Sequence, residues 1–168
     1  MKITSIKRKM ILWLVNHMFA GTKHFEIKRK LLNSIGWKIG ENTKIVGPVF
    51  NTGTLEIGKD SWIGKDFKIH GNGKVVIGDR CDIAPEVIFL TGGHEIGDKD
   101  RRAGAGQSYF IEVGNGTWIG ARATIMGDTK IGRGSVIAAC ACVTKSIEQD
   151  SLAGGVPAKV IRKLDGKD

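Results

Sequence analysis

The chain has little cysteine, little histidine and almost no acid at its N-terminal end. Its three cysteines are an odd number without framework spacing, which excludes a disulfide scaffold and points to a reducing compartment. Residues 1–38 hold one acid, Glu26, against nine Lys and Arg, a local charge of +8; the other 130 residues hold seventeen basic and sixteen acidic residues. The overall +9 therefore belongs to an extension rather than to a nucleic-acid-binding body, and no base-reading motif accompanies it. The apolar run from Met10 to Ala20 is too short to span a bilayer and contains Asn16 and His17. After Lys7-Arg8-Lys9 that run has the outline of a signal peptide, but Met18 stands where cleavage needs a small residue. Missing too, over most of the chain, are the hydrophobic periods of 3.6 and 2 that mark amphipathic helices and exposed sheets.

What is present instead is a period of six. A branched aliphatic followed by Gly or Ala begins IGENTK at Ile39, IGKDSW at Ile57, IGKDFK at Ile63, IGDRCD at Ile77 and IAPEVI at Ile83. The series resumes with VGNGTW at Val113 and runs through Ile119, Ile125 (followed by Met126), Ile131 and Ile137. Stacked aliphatics favour extended backbone, glycine at position two permits corners and close approach, and the fifth position is small or mid-sized. Short equal strands joined by tight turns make a parallel β-solenoid. Cys81 falls on an inward fifth position as packing, whereas Cys140 and Cys142 face outward. The register slips by two residues between Ile69 and Ile77, at Gly71 and Gly73, and the repeat vanishes between Phe89 and Val113. That Gly-rich, charged stretch predicts an excursion loop at about 90–112.

At 168 residues one domain is expected: a basic helical extension over 1–36, the solenoid over 37–150 and a tail over 151–168. The extension reads as two helices. The first runs from about Thr4 to Phe19 with Ile6, Met10, Trp13, Leu14 and Met18 as its apolar stripe. Gly21 breaks it, and Thr22 caps a second helix through Phe25, Leu31, Leu32 and Ile35 to Gly36. Two placements stay open and compatible: a cap on the open end of the prism, or a helix on a membrane surface.

His94 is the first candidate for chemistry. It opens the excursion after Thr91-Gly92-Gly93, whereas His17 and His24 lie in the extension and His70 on an ordinary coil. Imidazole exchanges a proton near neutral pH. No nucleophile with a paired base is visible, so a covalent acyl-enzyme is not implied.

The ordered set IGDRCDIAPEVIFLTGGHEIG, Thr117-Trp118-Ile119-Gly120, Val143-Thr144-Lys145 and Gly155 through Arg162 resembles the maltose, galactoside and capsular-sugar O-acetyltransferases of the hexapeptide-repeat family. The resemblance spans roughly Gly36 to Leu164. It implies an all-β fold, a left-handed parallel β-helix with three hexads per coil. It also implies an acetyl-CoA-dependent acyltransferase that uses no metal, acts on a sugar hydroxyl and assembles as a homotrimer with the acyl slot between solenoids. Carried over, His94 is the general base. Trp118, Gly120 and Ala121 line the acyl and pantetheine slot, with a backbone N–H near Ala121 as oxyanion donor. Ala139, Thr144 and Lys145 continue the slot, and Lys159 and Arg162 meet the nucleotide. Glu95 and Asp98 are candidates to orient the imidazole. Asp66 stands where the family has an acceptor-binding asparagine, Ala138-Ala139-Cys140 replaces Gly-Ala-Gly, and Arg101 suggests an anionic or glycan acceptor. Other classes stay in view: an N-acetyltransferase on an amino sugar, a zinc hydratase that needs three histidines, and a non-catalytic trimeric scaffold. The expected location is cytoplasmic, with contact at the inner, anionic face of the membrane.

Overall fold

The computed structural model describes residues 5–164; the expected helix start at about Thr4 lies outside the described residues. Each coil contributes one short strand to each of three parallel sheets, so the chain winds a triangular prism. On the first face the inward rungs are Ile39, Ile57, Ile77, Val113, Ile131 and Ile147, which makes the coils 18, 20, 36, 18 and 16 residues long. The second face stacks Ile45, Ile63, Ile83, Ile119, Ile137 and Ala153. The third stacks Asn51, Ile69, Phe89, Ile125 and Val143. These side chains are buried and form one continuous core apart from Asn51, whose inward amide nitrogen is buried without a partner.

The corners divide the labour of the hexad in a way its letters conceal. Position two is small because a Cβ on Gly40 would meet the Gly58 carbonyl carbon at 2.6 Å, and one on Gly120 would meet the Ala139 nitrogen at 2.5 Å. The left-handed turn falls two residues later, on Asn42, Asp60, Asp66, Arg80, Glu86, Arg122, Cys140 and Asp150, with φ between 52° and 63°. Small fifth-position residues at the corner between the first and second faces also carry hydrogen bonds. Thr43 Oγ1 donates to Gly58 O (2.6 Å), Ser61 Oγ to Gly78 O (3.1 Å) and Ser135 Oγ to Glu148 O (3.0 Å). Cys81 continues that buried ladder, its Sγ 3.2 Å from Gly114 O, and burial pushes its thiol pKa up.

The extension closes the open end of the prism edge by edge. Helix α1 (Ser5–Trp13) passes into a π-helical turn, Leu14–Met18, and helix α2 spans Phe25–Asn33. Asn16 donates to Val49 O (2.8 Å) and accepts from Val49 N (2.9 Å), which satisfies the edge of the third face. Asn33 does the same for Ile39 on the first face, at 3.1 and 2.8 Å. On the second face Val46 O accepts from Gly21 N (2.8 Å) and from the buried Lys28 Nζ (3.1 Å), which also donates to Gly21 O (2.6 Å). Three expectations are corrected here. The side of α1 that docks carries Ile11, Leu12 and Val15, so Ile6, Met10, Trp13 and Met18 face solvent. That segment is apolar on two sides, and period alone does not choose between them. Helix α2 is preceded by His24 in the left-handed region (φ 56°) rather than capped by Thr22. The expected tail is a β-hairpin: Ser151–Gly155 joins the second face beside Val136–Ile137, and Ala158–Lys163 folds back antiparallel on it.

Candidate active site

The excursion leaves the prism after Thr91, at the corner between the third and first faces, and returns at Phe110. It is an antiparallel hairpin of Gly92–Ile96 and Ala103–Ser108. Gly92 pairs with Ser108, Gly93 with Gln107 and His94 with Gly106, after which the register slips and Ile96 pairs with Ala103. Bulges of this kind re-aim side chains and free backbone groups. Here His94 Nδ1 lies 3.0 Å from Gly104 O. A carbonyl only accepts, so Nδ1 carries the proton and Nε2 keeps its lone pair for an incoming hydroxyl.

Neither acid expected to orient the imidazole does so. Glu95 Oε1 accepts from Gln107 Nε2 (3.2 Å), and Gln107 Oε1 accepts from the Tyr109 hydroxyl (2.9 Å), a brace across the hairpin. Asp98 Oδ1 accepts from the Asp100 and Arg101 amides, both at 3.0 Å, and closes the hairpin tip. Arg101 is exposed at that tip.

His94 lines a depression of ≈ 540 Å³ with His70, Asn72, Leu90, Gln107 and Ser108, floored by Gly71, Gly92, Gly93 and Gly106. His70 ends its strand beside the two-residue bulge beneath the hairpin, its ring tilted against Phe50 at 5.0 Å between centroids. The bulge packs against the hairpin root. A Cβ on Gly71 would lie 2.3 Å from Gly92 N, and one on Gly73 would lie 2.0 Å from Tyr109 O. His70, Asn72 and Gln107 were missed as candidates, although the eight-residue step from Ile69 to Ile77 marks the place of the first two and the loss of the repeat marks that of Gln107. A larger cavity of ≈ 820 Å³ lies elsewhere, against the first face. Its charges are largely paired, Lys130 with Glu112 (2.9 Å) and Lys163 with Glu148 (2.7 Å), and it holds no imidazole.

The expected slot residues other than Thr144 and Lys145 gather along the second face and its corner with the third. Trp118, Val136, Leu152 and Arg162 form one outward row, rung by rung. Three rungs separate Trp118 from Arg162, about 14 Å at the usual strand spacing. Lys159 pairs with Gly154 in the same hairpin. At the corner, Ala121 and Ala139 occupy successive coils, joined by Cys140 N donating to Ala121 O (2.9 Å). The Gly120, Arg122 and Ala123 amides donate to backbone carbonyls at 2.8, 3.0 and 3.3 Å. Among the described residues the Ala121 and Ala139 amides donate to none. Arg122 pairs with Glu86 across two coils (2.9 Å) and holds its carboxyl below the usual range. Asp66 lies at the same corner, near the extension, where its left-handed backbone (φ 59°) serves the turn.

Two groups therefore stand on different edges of one prism. His94, Thr144 and Lys145 belong to the corner between the third and first faces. Trp118, Gly120, Ala121, Ala139 and Asp66 belong to the second face and its far corner. Lys145 and Lys159 make no ion pair among the described residues, nor does any group of three metal-ligating side chains occur there.

Residues 110–145 match the family described as bacterial transferase hexapeptide (six repeats). The galactoside O-acetyltransferase of Escherichia coli K12 is 32% identical over 165 residues, covering 97% of this chain and 80% of its own. A putative acetyltransferase of Saccharomyces cerevisiae is 35% identical over 152 residues, covering 87% and 74%. A galactoside acetyltransferase solved in complex with coenzyme A has a TM-score of 0.83 at 29% identity, covering 95% of this chain and 80% of that one. A hexapeptide-repeat acetyltransferase from Vibrio cholerae shares the fold, with a TM-score of 0.84 at 23% identity, covering 96% and 87%. The prism is accordingly a left-handed parallel β-helix. With its hexads, its histidine-bearing hairpin and this span of likeness, the chain belongs to the hexapeptide-repeat acyltransferases of the galactoside O-acetyltransferase kind.

Proposed function

We propose that the protein moves an acetyl group from acetyl-CoA to a sugar hydroxyl, with His94 as general base. The observation that carries this reading is the Nδ1 contact to Gly104 O, which leaves Nε2 of the exposed His94 as the proton acceptor. Nε2 takes the hydroxyl proton as the acceptor oxygen bonds to the thioester carbonyl carbon. The carbon–sulfur bond breaks, and the proton passes to the departing thiolate. A free amide at Ala121 or Ala139 supports the transient oxyanion, a contribution of about 3 kcal/mol where geometry is good. The outward row from Trp118 to Arg162 suits an extended pantetheine arm ending at diphosphate, where Lys159 and Arg162 supply charge. The glycine floor beside His94, rimmed by Asn72, Gln107 and Ser108, leaves room for a ring bearing hydroxyls.

Two of the proteins named above are galactoside acetyltransferases, which supports a saccharide acceptor. Because Trp118, Gly120, Ala121 and Ala139 lie on a different edge from His94, while Thr144 and Lys145 share the edge of His94, a complete site calls for two protomers, and a threefold ring supplies three such sites. No helix among the described residues is long and apolar enough to cross a membrane; use of acetyl-CoA supports work in the cytoplasm. The test is transfer from acetyl-CoA to a panel of sugars by His94→Ala. Turnover is expected to fall at least about a hundredfold with coenzyme A affinity kept. Near-normal turnover would remove His94 from the mechanism, and acetylation confined to amino groups would move the reading to N-transfer.

A further inference from the structure

Helix α1 and the turn after it show solvent the apolar stripe that a cap placement alone would bury. Ile6 is 80% exposed, Met10 55%, Trp13 54% and Met18 63%. These residues recur at helical spacing on the side opposite Ile11 and Val15, whose side chains are buried against the prism. Nothing in the docking of the extension requires them. Its bonds to the prism run through Arg8 to Asn51 O (2.8 Å), Asn16 to Val49, Asn33 to Ile39, and Gly21 N and Lys28 to Val46 O. Lys7 and Lys9 flank the stripe, one on each side around the helix, and the chain has no acid before Glu26. A second copy of the chain fits this pattern poorly, since pairing stripe to stripe would set the lysines of one copy against those of the other.

We infer that the outer side of α1 is a peripheral docking surface for an anionic phospholipid membrane. The stripe inserts at the level of the headgroups, and Lys7 and Lys9 meet lipid phosphates. A short helix with large apolar side chains on one side and lysines at its margins has the form of an interfacial helix. The tip of Trp13 suits the boundary between apolar and wet layers. Such docking would hold the acetyltransferase beside acceptors carried on lipid, independently of which sugar it modifies.

The experiment is sedimentation of the full-length protein with vesicles of phosphatidylglycerol and phosphatidylcholine, against phosphatidylcholine alone. Binding to the anionic vesicles is expected at 0.1 M salt and is lost at 1 M, where the screening length drops to about 3 Å. Lys7→Gln with Lys9→Gln lowers the partition coefficient about 25-fold, roughly fivefold per lysine. Met10→Gln with Trp13→Gln lowers it at least tenfold, with an unchanged melting temperature and unchanged acetyl transfer to a soluble acceptor. Lipids brominated in the acyl chain quench a part of the tryptophan fluorescence that disappears in Trp13→Phe. The inference is overturned if the protein ignores anionic vesicles, or if the Met10/Trp13 variant binds them as well as wild type. It is equally overturned if light scattering shows that this variant breaks up an oligomer, which would make a second copy the occupant.

Discussion

Lys28 is fully buried at the mouth of the prism, its ammonium between two carbonyls and 4.5 Å from the Phe25 ring centroid. Burial pushes its pKa down from 10.5 to about 8. The unfolded chain therefore holds a proton that the folded chain has released between those values, so stability rises with pH from about 8 to 10.5 and is lowest below that window. The gain is about 3 kcal/mol at most. Measured in urea at pH 7.5 and pH 10, wild type should gain stability relative to Lys28→Met; an equal response of both would show that the carbonyls keep the ammonium charged. None of this was legible in the sequence, where Lys28 is one of eight basic residues in an acid-poor extension. The hexad letters were more informative. Their aliphatic first position fixed the core, and glycine at position two was rightly read as close approach. The left-handed corners were not anticipated, because a solvated Asp, Asn, Arg or Glu at position four looks like any other surface residue. The hydrogen bonds of the fifth position were hidden for a different reason: Thr, Ser and Cys satisfy the steric requirement and the polar one together.

At the scale of elements, loss of period located the excursion but gave no sign of a hairpin. Its strands read GGHEI and AGAGQS, with almost none of the β-branched and aromatic residues that usually mark strands. The hairpin stands because its root is packed on the Gly71–Gly73 bulge and its tip is closed by Asp98. Opening the tip should loosen the register that brings Gly104 O to His94. Asp98→Ala is expected to lower kcat several-fold with the melting temperature unchanged, since the tip lies outside the prism. A fall in melting temperature matching that of a core variant would show instead that the hairpin is part of the folding unit. The C-terminal hairpin was missed for a related reason. The Ala158–Lys163 strand is largely exposed and has no buried rows to announce it, so its antiparallel return on Ser151–Gly155 leaves no periodic trace. In the extension the pattern misled in the opposite sense, because a segment apolar on two sides offers the more regular stripe to solvent.

At the scale of the whole molecule, His94 and the second-face residues proposed as the acyl slot sit on different edges of one prism, which is why the proposed site draws on two chains. Mixed assembly tests this directly. His94→Ala removes the base, and Ala139→Trp fills the slot at an exposed corner. Each alone should be inactive, but a trimer formed from equal amounts regains about one quarter of wild-type turnover, since a base from one protomer meets a free slot from its neighbour in one pairing of four. No recovery on mixing would place base and slot in the same chain. The family and the class of reaction were legible because the motifs lie in fixed order along the coils. Their division between two edges was not, since it depends on which corner each hexad turns. The same winding leaves an open ladder of backbone N–H and C=O groups at the first coil, the kind of edge on which identical chains pile into fibres. Asn16, Asn33 and Lys28 occupy that ladder on its three sides, and the antiparallel strand Ala158–Lys163 covers the last rung of the second face. The column is thus given a fixed height, and a repeat that could in principle continue from molecule to molecule stops within one.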